Sequence, residues 1–142
     1  MSLRRVYPGY GGSYRVTTIG RMTHPRMYTD EDPYLAELRE ICLALPEAVE
    51  VEAWGRPTFR AGKKMFAVFE GNDEHPFAVI FKPDDRIGLL GDPRIYVPPY
   101  FGPGGWLALD FTVADVDWAE VGELMDASYR QVALKRMLKA LG

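Results

Sequence analysis

Residues 44–69 read ALPEAVEVEAWGRPTFRAGKKMFAVF, and the order of signals in this stretch decides the fold. Pro46 ends whatever helix precedes it, because a proline inside a helix removes a hydrogen bond and clashes with the turn before it. Ala48–Ala53 alternates small or branched apolar residues with glutamates, the period of a half-buried strand. Trp54-Gly55 is a turn, Pro57–Arg60 a second strand, and Ala61-Gly62-Lys63 a hairpin connection into a third strand over Lys64–Glu70. Phe59, Met65, Ala67 and Phe69 are expected on one face of the sheet. Phe66 and Val68 make the third strand apolar on both faces, which places it in the sheet interior.

Upstream, Asp32 reads as an N-cap with Pro33 in the first helical position, and Asp30 and Glu31 suit the positive end of a helix dipole. Leu35, Leu38, Cys42 and Leu45 recur at helical spacing up to Pro46, which makes Cys42 a core residue; no cation nearby in sequence would activate its thiol. Downstream, Gly71–His75 is a loop and Phe77–Phe81 an apolar strand. Pro83-Asp84-Asp85 opens a short helix or turn toward Gly91-Asp92-Pro93. Ile95–Val97 is extended, and Pro98–Gly105 is a Pro/Gly-dense loop of the kind that carries binding surfaces on a rigid scaffold. A strand over Trp106–Phe111 follows. Asp117 and Glu120 form a capping-box pattern for a long last helix, whose buried face runs through Val121, Leu124, Met125, Ser128, Val132 and Met137. The expected fold is α+β: a mostly antiparallel twisted sheet with an N-terminal helix and a long C-terminal helix packed on it.

The chain has 142 residues, enough for one domain with a proper core, 47% hydrophobic and 26% charged residues, and one cysteine, so no internal disulfide forms and a reducing, cytoplasmic setting is expected. No apolar run approaches the ~18 residues that cross a bilayer, so no membrane partner is expected, and the arginines near the N-terminus are not followed by the apolar block of a secretory signal. The net charge of −3 is unevenly spread. Residues 1–27 carry Arg4, Arg5, Arg15, Arg21 and Arg26 with no acid, leaving 12 of the 17 Lys+Arg against all 20 Asp+Glu in the rest. Residues 1–31 are therefore read as a basic, Gly- and Tyr-containing arm and 32–142 as the domain. Tyr14–Ile19 has the composition of a short strand that can pair with an edge of its own body or of a second subunit, which makes a homodimer through the arm an expectation.

Catalytic patterns are absent. His24 and His75 lack metal-ligand spacing, no nucleophile elbow or phosphate loop occurs, and Gly102-Pro103-Gly104-Gly105 leads into a strand rather than a helix N-terminus. No catalytic residue and no cofactor is assigned. Two sets remain. Asp30, Glu31, Asp32, Glu37 and Glu40 on the first helix, and Asp115, Asp117, Glu120, Glu123 and Asp126 on the last, are either solvated helix faces or weak carboxylate ligands for a metal. Trp54, Arg56, Arg60, Lys63, Lys64, Lys82, Tyr100 and Trp106 combine cations with aromatics, the chemistry that contacts phosphates and stacks on bases. The same residues also read as hairpin solubilising charges with packed tryptophans, or as walls of a small-molecule or peptide pocket in a binder or an enzyme.

The segment quoted first, together with Phe81-Lys82-Pro83-Asp84, Gly105-Trp106-Leu107-Ala108-Leu109 and Asp126-Ala127-Ser128-Tyr129-Arg130-Gln131-Val132, resembles the MmcQ/YjbR-like proteins from about Asp32 to the C-terminus. The resemblance implies a small α/β domain similar to the frataxin type, which binds iron on an acidic helix, and a double-wing arrangement like that of DNA-binding proteins, with Arg60–Lys64 in one wing. It implies a non-enzymatic binding module with nucleic acid as partner. One departure weakens the phosphate contact: many members carry Lys, Arg or His before the tryptophan, where this chain has Gly104-Gly105 before Trp106.

Overall fold

The strands expected from the sequence assemble into one six-stranded antiparallel sheet in a computed structural model that describes residues 5–6, 13–14, 16–19 and 22–142, with side chains from residue 25 onward. Near the N-terminus β1 (Arg5–Val6) pairs with β2 (Ser13–Tyr14), and β3 (Val16–Ile19) with β4 (Met22–Pro25). Strand character expected at Tyr14–Ile19 is thus present at residues 16–19, with β4 as the hydrogen-bonded neighbour. The glycine-rich leader at 7–12 and Arg4, Arg15 and Arg21 lie outside the described residues.

Helix α1 (Leu35–Leu43) buries Leu35, Leu38 and Cys42, as its spacing requires. Its start differs from the expected one. Asp32 is not the N-cap: its carboxylate is buried and accepts from Thr29 N at 3.2 Å and Thr29 Oγ1 at 2.9 Å, closing a turn one step upstream. Tyr34 stands at the N-cap instead, with φ of 74° and no side-chain cap. Burial lifts the Cys42 thiol above its ordinary pKa, and the thiol belongs to the core.

The sheet runs β5 (Ala48–Ala53), β6 (Arg56–Ala61), β7 (Lys64–Glu70), β8 (Ala78–Phe81), β10 (Leu107–Asp110) and β9 (Ile95–Tyr96) from one edge to the other. Trp54 and Gly55, at φ 54° and 77°, make the two-residue turn between β5 and β6, matching the left-handed pair that a tight hairpin demands. One face deviates from simple alternation. Phe59 pairs with Ala67 but Arg60 with Met65, so Phe66 is the extra residue of a β-bulge. Phe66 and Ala67 therefore both turn toward the helices, while Met65, expected beside Phe59, packs on the opposite face with Val68.

The first face is covered by α1 and by α3 (Trp118–Val132), where Val121, Met125, Ser128 and Tyr129 are buried. Asp117 accepts from Ala119 N and Glu120 N as an N-cap, but Glu120 does not return the bond; its carboxylate pairs with Arg94. Ser128 is fully buried and bridges the layers, accepting from Lys82 N at 2.9 Å and donating to Phe66 O at 2.6 Å. The expected single last helix is two. The chain turns extended at Ala133 and restarts as α4 (Lys135–Leu141), which lets Leu134 and Met137 close over the hairpin glycine Gly62. On the second face Val68, Ile80 and Ala108 are sealed by Met65, Tyr96, Phe101 and Trp106, the last two flanking a 3-10 turn at Gly102–Gly104. The short helix α2 (Arg86–Leu89), capped by Asp85 through Gly88 N, links β8 to β9. No helix among the described residues is long and apolar enough to cross a membrane.

Candidate functional site

The antiparallel registers sort the candidate residues between the two ends of the sheet. At one end lie the β6–β7 hairpin with Lys63 and Lys64, the end of β8 with Lys82, and the start of β10 with Trp106. Arg60 is two residues inside that end, and its Nε donates to Thr58 Oγ1 at 3.3 Å. Tyr100, in the loop between β9 and β10, is 98% exposed and has φ of 69°. A tyrosine in the left-handed region costs of order 1 kcal/mol or more, and such strain gathers at sites where the surroundings hold a residue in place for use. Trp106 is half-buried, edge-on to Phe101 at 6.1 Å.

Trp54 and Arg56 sit at the other end, in and after the β5–β6 turn. Arg56 donates to Gly71 O at 3.2 Å and Trp54 is 50% exposed. Six of the eight residues are therefore brought toward one end, and these two are not. Nor do Trp54, Tyr100 and Trp106 share a concavity, since β6, β7 and β8 separate the β5–β6 turn from β10. A cleft of about 320 Å³ is instead lined by Tyr34 and residues 111–116.

Among the described residues no acidic side chain pairs with Arg60, Lys63, Lys64 or Lys82, whereas most other arginines are tied down. Arg39 holds Glu50 through Nε at 2.8 Å and Asp30 through Nη2 at 2.9 Å. Arg26 lies over the Tyr28 ring at 4.1 Å and 3.2 Å from Glu52, which also accepts from Tyr28 OH at 2.7 Å. Burial, then the Glu52 contact, pushes the Tyr28 phenol up to about 12. Five of the ten acids named for the two helices are engaged in the same way: Asp30, Glu120 and Asp126 in ion pairs, Asp32 in its turn, Asp117 in its cap. No group of three or more His, Cys, Asp or Glu among the described residues is arranged to hold a metal ion.

Sequence reasoning missed two features. Lys135 and Lys139 are carried on α4, which packs over Gly62, so more positive charge lies near the hairpin; nothing local signals the helix break that puts it there. At the opposite end His75 Nδ1 lies 2.8 Å from Asp110 Oδ2, its ring stacked on Tyr96 at 3.7 Å and 6°. Tyr96 OH donates to Glu70 at 2.8 Å. Asp110 is buried, and burial alone would raise its carboxyl. Bonds from the Thr112 hydroxyl and amide and from His75 outweigh burial and hold it below the ordinary carboxylate range. A carboxyl depressed in the folded state contributes stability that is present above its unfolded pKa of about 4 and lost as pH falls through the folded value. Urea unfolding between pH 2 and 6 should accordingly show a shallower acid loss in Asp110→Asn than in wild type. Parallel curves would remove Asp110 from the acid response.

A family model described as YjbR matches residues 43–131, from the end of α1 through most of α3. No curated protein matches the chain.

Proposed function

The chain belongs to the YjbR family, and from that premise we propose that it is a non-enzymatic binding module that takes nucleic acid on the hairpin end of its sheet. The observation that carries this reading is the set of cations that pair with no acidic side chain among the described residues, Arg60, Lys63, Lys64 and Lys82, at the same end of the sheet as an exposed, strained Tyr100 and a half-buried Trp106. Cations displace counterions from phosphates, and aromatic faces stack on bases without regard to sequence. Glu47, at the same end of the sheet, is held by Arg136. Trp54 and Arg56 are left out of the surface, because they lie at the far end of the sheet. Binding through a scaffold loop and a hairpin tip needs no cofactor and no catalytic group.

The double change Lys63→Ala/Lys64→Ala tests the reading. It should weaken oligonucleotide binding uniformly across sequences, and reduce the slope of log K against log salt by about 1.4 for a single strand or nearly 2 for a duplex. An unchanged slope, with wild-type folding by circular dichroism, removes the hairpin from the interface.

A further inference from the structure

The loop that displays Tyr100 packs Phe101 on the sheet but is held there by few backbone hydrogen bonds. It leaves β9 at Tyr96 and rejoins at Trp106, and β9 has only two residues, paired Ile95 with Leu109 and Tyr96 with Ala108. Within the loop the backbone contacts are local turns, Gly102 N to Pro98 O and Gly104 N to Phe101 O. Besides its packing on Val68, Ile80 and Ala108, Tyr96 is held from the β7–β8 side. His75 lies flat on its ring, and Glu70 accepts its hydroxyl.

His75 is itself over-determined. Asn72 Oδ1 accepts from Glu74 N and His75 N, Asn72 N donates to His75 O, and Arg56 braces the loop base through Gly71 O. Asp110 is kept ionised by Thr112, and an ionised carboxylate only accepts, so Nδ1 carries the proton it shares with Asp110. Position and tautomer of the ring are thereby set before any ligand arrives. The polar cluster lies at the end of the sheet remote from the hairpin lysines. Tyr96, in β9, joins it to the loop that leads to their end of the sheet.

We propose that His75 is a positioning residue for ligand binding: clamped between Asp110 and the Tyr96 ring, it fixes the end of β9 and so the placement of the 97–105 loop that presents Tyr100 at the end of the sheet that also carries Lys64 and Lys82. The inference rests on the nucleic-acid reading for the identity of the ligand, but the clamp acts on the loop whether or not a ligand is present. Ordering a loop in advance removes an entropy cost from binding without adding a charge. Loss of the clamp therefore lowers affinity while leaving the salt slope alone, the reverse of losing a lysine that meets phosphate.

Two variants test this in the full chain, His75→Ala and His75→Gln, the second retaining a donor for Asp110 without the stacked ring. Amide hydrogen exchange at Tyr96 and Gly102, without ligand, should be about tenfold faster in both, with core strand β7 unchanged. Binding of a fluorescent single-stranded oligonucleotide should weaken about threefold to tenfold at constant salt slope. Unchanged exchange in either folded variant overturns the clamp and leaves the nucleic-acid reading untouched. A slope reduced by about 0.7 overturns the positioning role, because His75 would then be a phosphate contact itself. Faster exchange in a protein whose wild type binds no oligonucleotide overturns the nucleic-acid reading and, with it, the ligand half of this inference.

Discussion

Phe66→Ala should be the most damaging single change in the domain, lowering unfolding free energy by about 3–5 kcal/mol and the melting temperature by roughly 10 °C or more for a chain of this size. Phe66 is fully buried and meets the Tyr129 ring edge-on at 5.4 Å. It occupies the bulge position, so its side chain joins that of Ala67 under α3 rather than alternating away from it. Truncation leaves a cavity between the sheet and α3 that the rigid strand and the hydrogen-bonded Ser128 bridge cannot collapse into. Met65→Ala, one residue away but half-buried on the open face, should cost markedly less. Chemical unfolding of both variants measures this, and equal losses would mean that the bulge does not divide the two residues.

Gly55→Ala should follow, at about 2–3 kcal/mol. A Cβ there would stand 2.0 Å from Pro25 O, a backbone atom that cannot swing aside, and φ of 77° is unfavourable for any side chain. The same turn accepts Met27 N at Gly55 O, 2.7 Å away. Displacing Pro25 therefore pulls on the neighbouring Arg26, Tyr28 and Glu52 contacts, which fasten this segment to β5. The measurable consequence is a Tyr28 phenol that titrates nearer its ordinary range, once the burial and the Glu52 bond that hold it at about 12 are lost. A Gly55→Ala protein as stable as wild type, with Tyr28 still elevated, would show that the segment can shift without cost.

The hairpins were legible because their chemistry is local. Trp54-Gly55 and Ala61-Gly62-Lys63 specify their turns, and the apolar runs around them specify strands, whatever the rest of the chain does. Features that depend on partners distant in sequence were not. The bulge at Phe66 is a relation between β6 and β7, and no pattern within Lys64–Glu70 states which residue is extra. The break at Ala133 carries no proline or glycine; it follows from the room above Gly62, more than 70 residues earlier. Asp32 looked like an N-cap because cap and turn draw on the same side chains, and Thr29 took the carboxylate first.

The candidate surface divides along the same line. Lys63, Lys64 and Arg60 could be placed together from the hairpin alone, whereas Lys82 and Trp106 join them only through the strand order β6-β7-β8-β10. Trp54 and Arg56, adjacent in sequence to the same hairpin unit, fall at the opposite end because β6 separates the two turns by its own length. His75 and Asp110 are 35 residues apart, and a histidine in a polar loop gives no sign of the carboxylate it will meet.

The central proposal, that the hairpin end of the sheet binds nucleic acid through Arg60, Lys63, Lys64 and Lys82, is tested most directly by a salt titration of wild-type protein with a fluorescent single-stranded oligonucleotide. Four phosphate contacts from Arg60, Lys63, Lys64 and Lys82 predict a straight line of log K against log salt with a slope of about −3. No binding at low salt, or a slope near zero, would contradict it.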